Sequence, residues 1–136
     1  MIVLPESIRE AIVEDAREGT PREICGVLGG AFGEQRSRVD SRYPATNAAE
    51  TPRTRYLIDP EEQLEIFERL EDRGEEIVGF YHSHPNGPAG PSATDAEAAA
   101  WPDRSYLIVS LVPTLEVGSW RWRGDGAFDR ERVAYR

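Results

Sequence analysis

The chain has two histidines, His82 and His84, one residue apart at the end of the apolar run IVGFYHSHP. In an extended strand, residues i and i+2 point to the same face. Two imidazoles on one face can hold a divalent metal if a carboxylate lies within reach, and Asp95 follows a short loop away in HSHPNGPAGPSATD. A catalytic zinc usually takes three protein ligands from His and carboxylate and leaves the fourth position to water. His82, His84 and Asp95 would make such a set. Ser92 and Asp95 also read as an ordinary capping box with Asp at N3, and the two roles are compatible.

A hydrolytic metal site also needs a general base within reach of its water. Most glutamates, such as Glu65, Glu68 and Glu71, read as solvated charges on a helix face. Glu23 differs, because it leads into the apolar run ICGVLGG, where a carboxylate is costly without a partner or a task. The residues alone leave it one candidate among several. Cys25 stands in the same run, where a thiol is usually inert packing rather than a nucleophile. Asn47 is a candidate substrate contact, and Trp120 and Trp122 read as packing or rim residues on a late strand.

Positioning these groups takes a sheet with helices against it. Pro5 to Glu18 reads as a first helix, with Ile8, Ala11, Ile12 and Ala16 on one face and Gly19 and Pro21 as stops. EICGVLGG reads as a short apolar strand and RSRVDSRY as an alternating strand at or near a sheet edge. PATNAAETPRT is a loop leading to a strand at RYLI. The second helix carries the clearest punctuation: Asp59 as N-cap, Pro60 at N1, Glu62 at N3 and Gly74 at C′. Leu64, Phe67 and Leu70 are expected to face inward. A buried strand from Glu76 to Ser83 carries the histidines. The loop from Pro85 to Pro91 is expected to gate the site through the freedom of Gly87 and Gly90. A short third helix begins near Ser92, and SYLIVSL, LEVGSWRWR and AFDRERVAY read as closing strands. Helices among mostly consecutive strands give an α+β or layered α/β/α fold.

Composition bounds the function classes. At 136 residues with 39% hydrophobic content the chain reads as one domain, spanning 1–136, with a modest core. Nothing in it approaches the apolar length of a membrane span or a signal peptide, so a cytoplasmic location is expected. One cysteine excludes an internal disulfide and a Cys-rich zinc site. The net charge of −9 argues against nucleic acid as a partner. All 16 basic residues are arginine, which fits either GC-rich codon usage or a salt-adapted interior.

Two segments then match a known pattern in the right order. HSHPNGPAGPSATD is His-x-His, seven residues and Ser-x-x-Asp, and it resembles the metal-binding motif of the JAMM (MPN-plus) metalloprotease family. EICGVLGG resembles that family's catalytic-glutamate segment, Glu-x-Cys-Gly-x-Leu. The likeness runs through the element order of nearly the whole chain, with no departure at the motif positions, and is to the stand-alone prokaryotic type: haloarchaeal desampylases and bacterial sulfur-carrier hydrolases.

The resemblance implies an MPN/cytidine-deaminase-like fold, with a mixed, curved central sheet flanked by helices. It implies one Zn2+ per chain on His82, His84 and Asp95. Glu23 would move the proton from water to the leaving amine, and Ser92 would stabilise the oxyanion. The implied reaction is hydrolysis of the amide after the C-terminal glycine of a ubiquitin-like β-grasp modifier, whose tail would pair with an exposed strand edge. Release of cysteine or another group from a sulfur-carrier protein is the alternative. Non-catalytic scaffolds of this fold typically lose the ligands retained here, and deaminases use a Pro-Cys-x-x-Cys segment that this chain lacks.

Overall fold

A computed structural model describes residues 1–136. Eight strands form one mixed sheet: β1 (Ile2–Leu4), β2 (Cys25–Ala31), β3 (Ser37–Ala45), β4 (Glu76–His84), β5 (Ser105–Ser110), β6 (Glu116–Trp122), β7 (Phe128–Glu131) and β8 (Val133–Tyr135). Three helices, α1 (Glu6–Gly19), α2 (Pro60–Asp72) and α3 (Ala93–Ala98), lie between them. The spatial order is β7-β6-β5-β4-β2-β3-β1-β8. β4 runs parallel to β5, and β1 runs parallel to β3 and β8; every other pair is antiparallel. The two end strands, β7 and β8, are separated in sequence by Arg132 alone, so the sheet curls into a nearly closed barrel. No helix is long and apolar enough to cross a membrane.

Each face of the sheet buries one helix. Ile12, Val13 and Ala16 of α1 pack on Leu28, Val39, Val78, Tyr81 and Leu107. Ile66 and Leu70 of α2 pack with Cys25, Val27, Tyr43, Phe80 and Tyr106 on the other face. A register shift opposite Leu28 and Gly29 skips Val78, which puts Val78 and Tyr81 on the α1 face and Phe80 on the α2 face. The bulge thereby aims Phe80, His82 and His84, at spacing two, to the α2 side.

The punctuation of α2 holds at both ends. The Asp59 carboxylate accepts the Glu62 N–H at 3.4 Å. Gly74 adopts φ +71°, and Glu75 N–H returns to Leu70 O at 3.0 Å, which closes a Schellman turn. The Glu62 carboxylate accepts the Thr46 N–H at 3.2 Å instead of reaching back to its own cap, and so ties α2 to the end of β3.

Four expectations need correction. Leu64 is 61% exposed, because it lies roughly 200° around the helix from Ile66, whose stripe with Leu70 is the buried one. RYLI is no strand: only Ile58 makes an isolated bridge, to Asn47. β3 is interior, covered by β1 and β8 beyond it. AFDRERVAY splits into β7 and β8 at opposite ends of the sheet.

Beneath the barrel wall, Arg121 of β6 is 2% exposed and donates from Nε to Glu131 at 3.0 Å and from Nη2 to Ser37 Oγ at 3.3 Å. Ser105 and Ser119 also donate to Glu131, at 2.6 and 2.8 Å. Burial alone would raise the Glu131 pKa, but the bonds from Ser105, Arg121 and Ser119 hold it below the usual carboxylate value.

Candidate metal centre

The end of β4, the segment entering β2 and the first turn of α3 converge on one point. Glu23, His82, His84 and Asp95 are all buried there, and one ligand atom from each lies within 4.8 Å of the others. His82 Nε2 is 3.1 Å from His84 Nε2 and 3.2 Å from Asp95 Oδ1, and His84 Nε2 is 3.0 Å from Asp95 Oδ2. Two ring nitrogens and a carboxylate face one another, three donor groups of the kind that bind zinc. A cation satisfies all three. A tetrahedral metal with bonds of about 2.0–2.1 Å separates its ligands by ~3.3 Å, close to the edges of this triangle. The donor set fits a metal.

Each candidate ligand is positioned by its own element. His84 is fixed by Nδ1 against Pro88 O at 2.7 Å. Asp95 is the N3 residue of α3: Ser92 Oγ accepts the Asp95 N–H at 3.0 Å, and Asp95 Oδ2 accepts the Ser92 N–H at 2.9 Å, a complete capping box. The Ser92 hydroxyl proton is free to donate. His82 packs face to face with Tyr56, ring centroids 4.4 Å apart and 25° from parallel, while its Nδ1 is buried without a partner.

The electrostatics follow from burial in a cluster of mixed charge. Burial is the largest influence on Glu23 and pushes its pKa up to about 7, with His84 opposing and Asp95 assisting. Burial also opposes ionisation of Asp95, yet bonds from both histidines and from the Ser92 N–H hold it far below the carboxylate range. His82, completely enclosed, has its pKa lowered by burial despite Asp95. His84 is raised because Asp95 and the Pro88 carbonyl outweigh burial. Cys25 Sγ–H points to Ala45 O, and burial pushes its pKa up to about 12, so it is a packing thiol.

Asn47 does something the sequence did not indicate. Its amide donates to Glu23 O at 2.9 Å and Arg55 O at 3.1 Å, and its carbonyl accepts from Ala49 N at 3.0 Å and Leu57 N at 3.1 Å. The polar atoms of the side chain are spent on backbone, so it organises the loop. The loop from Pro85 to Pro91 is fastened too. Gly87 O accepts from Ser110 Oγ, Pro88 O meets His84, and Ala89 is buried against Ile108 and Trp120. Neither Gly87 nor Gly90 has a positive φ in this conformation.

The chain is similar to known proteins over most of its length. The family model described as prokaryotic homologs of the JAB domain matches residues 5–123. A protein of Haloferax volcanii named desampylase is 43% identical over 126 residues, covering 90% of this chain and 88% of that one. A protein of Mycobacterium tuberculosis named CysO-cysteine peptidase is 40% identical over 110 residues, 81% of this chain and 73% of the other. The solution structure of a protein from Desulfitobacterium hafniense superposes with a TM-score of 0.89 at 34% identity, covering 100% of this chain and 93% of that one. With its fold, its donor set and these matches together, the chain belongs to the JAB/JAMM metalloprotease family, among its prokaryotic homologs.

Proposed function

We propose that the chain is a single-domain zinc peptidase that hydrolyses the amide after the C-terminal glycine of a ubiquitin-like β-grasp modifier. The observation that carries the reading is the buried convergence of two imidazole nitrogens, the Asp95 carboxylate and the Glu23 carboxylate. The kinship with the desampylase supports the substrate class. The kinship with the CysO-cysteine peptidase favours a second reading, in which the group released from the carrier is cysteine.

In this reading His82, His84 and Asp95 would hold the ion, which when bound would supply Lewis acidity at the scissile carbonyl. Glu23 takes a proton from the attacking water and returns it to the leaving amine. The free Ser92 O–H donates to the developing oxyanion. Asn47 steadies Glu23 through its carbonyl. A cleft of about 800 Å3 runs between the loop at 48–57 and α3, bordered by Ala48, Thr51, Arg55, Tyr56, Thr94 and Glu97. Tyr56 N–H and C=O have no partner in the fold, and so offer an extended tail one residue's worth of strand pairing at this cleft.

The test presents one β-grasp modifier in three forms: fused to a peptide, linked to a lysine side chain, and carrying a C-terminal cysteine. Cleavage of the first two supports the proposal. Cleavage confined to the cysteine adduct favours the second reading. Activity on unrelated unfolded peptides, with none on the three forms, overturns both.

A further inference from the structure

We propose that Tyr56 is a positioning residue of the metal centre: its ring, flat against the His82 imidazole, sets the orientation of that ligand in place of the hydrogen bond that His82 lacks. The inference rests on the metal-site reading above.

The two histidines are held by different means. A metal-ligating imidazole almost always donates its second N–H to a carbonyl, carboxylate or water, which fixes both tautomer and ring plane. His84 follows this rule through Nδ1 and Pro88 O at 2.7 Å. His82 does not: Nε2 points into the cluster, and Nδ1 is buried with nothing to bond. Rotation about the Cβ–Cγ bond is soft for an imidazole, so another contact must define the plane of the ring. Two ring contacts are present: His84 meets His82 edge-on at 4.9 Å and 62°, while Tyr56 lies flat on its face at 4.4 Å and 25° and is the one outside the donor set.

Tyr56 can serve because its own backbone is clamped on both sides. Asn47 bonds the Arg55 carbonyl before it and the Leu57 N–H after it, and the same amide holds Glu23 O. One side chain therefore ties the base and the partner of His82 to a common frame. Tyr56 also borders the cleft bounded by α3, so a chain lying there touches the residue that orients His82.

The test compares wild type, Tyr56→Phe and Tyr56→Leu by two readouts. The first is Zn(II) affinity by competition with a chromogenic chelator. The second is imidazole 1H–15N spectra of the metal-free proteins, in which two histidines give two assignable rings. Tyr56→Leu is expected to weaken Zn(II) binding about 10–100-fold, the usual cost of losing an outer partner. It should move the His82 ring resonances while leaving those of His84 in place. Tyr56→Phe keeps the ring face and should retain wild-type affinity. Asn47→Ser leaves Tyr56 present but unclamped, and should weaken binding in the same direction. Absence of stoichiometric binding by wild type overturns the metal reading and this inference with it. Stoichiometric wild-type binding, with affinity and His82 resonances unchanged in Tyr56→Leu, overturns this inference alone. Equal losses in Tyr56→Phe and Tyr56→Leu also overturn it, because the hydroxyl would then be responsible.

Discussion

Glu23→Gln separates catalysis from assembly. The substitution keeps the shape of the side chain and removes its ability to take a proton. Glu23 is 5% exposed and its Oε1 has no partner, so an amide there disturbs no bond made by that atom. The only other acidic side chain in the cluster is Asp95, whose oxygens are committed to the two histidines and the Ser92 N–H. No second base stands ready to replace Glu23. Loss of a general base typically costs 10²–10⁴-fold, which at about 1.36 kcal/mol per decade raises the barrier by roughly 3–5 kcal/mol. The assay is single-turnover cleavage of a linear modifier fusion, with zinc content and thermal unfolding measured on the same preparation. The expected result is one equivalent of zinc, an unfolding temperature near that of wild type, and a rate lower by at least two decades. A rate within tenfold of wild type would refute Glu23 as the base. A matching loss of zinc would instead make Glu23 part of the binding set.

Ser92→Ala removes both the cap of α3 and the free hydroxyl. It should cost about 0.5–2 kcal/mol of stability and about 10²–10³-fold in kcat, read by urea unfolding and steady-state kinetics. Gly87→Ala with Gly90→Ala should leave kinetics and zinc content unchanged, since an added Cβ meets only His84 Cβ at 3.9 Å; a fall in kcat would support the gating role. Glu131→Gln leaves Arg121 buried beside a neutral partner and should cost about 3–5 kcal/mol at neutral pH. The folded pKa of Glu131 lies below 4.5, so its contribution is full above that pH and fades as pH falls through the folded value. Denaturation curves for wild type and Glu131→Gln should therefore converge in acid; a constant gap would refute the assignment.

What was legible in the sequence was what local chemistry encodes. Asp59, Pro60 and Gly74 mark α2 because capping and a positive φ involve only near neighbours. The cluster was legible for a similar reason: period two in a strand and N3 in a cap fix where His82, His84 and Asp95 point. β1 was missed because three residues, Ile2–Leu4, carry no period; they become a strand by pairing with β3 and β8. RYLI has strand composition, but Tyr56 turns to His82 and Leu57 is 55% exposed, so its apolar content serves a site and a cleft. Asn47 stood out as a candidate contact, but its bond to Glu23, like the stacking of Tyr56 on His82, was illegible because those partners are far along the chain.

The placement of Asp95 shows how little structure the site needs to be exact in its geometry. α3 has six residues, too few to be stable through propensity and helical bonds alone. Its capping box supplies the missing restraint, since the Ser92 and Asp95 side chains each close on the other's backbone N–H. The same closure fixes both carboxylate oxygens of Asp95 toward His82 and His84. A carboxylate at N3 reaches back across the first turn, which is where β4 delivers its two imidazoles. One residue is thus at once the second half of a helix cap and the third corner of a donor triangle. The order of α3 and the geometry of the metal centre are therefore a single property of this chain.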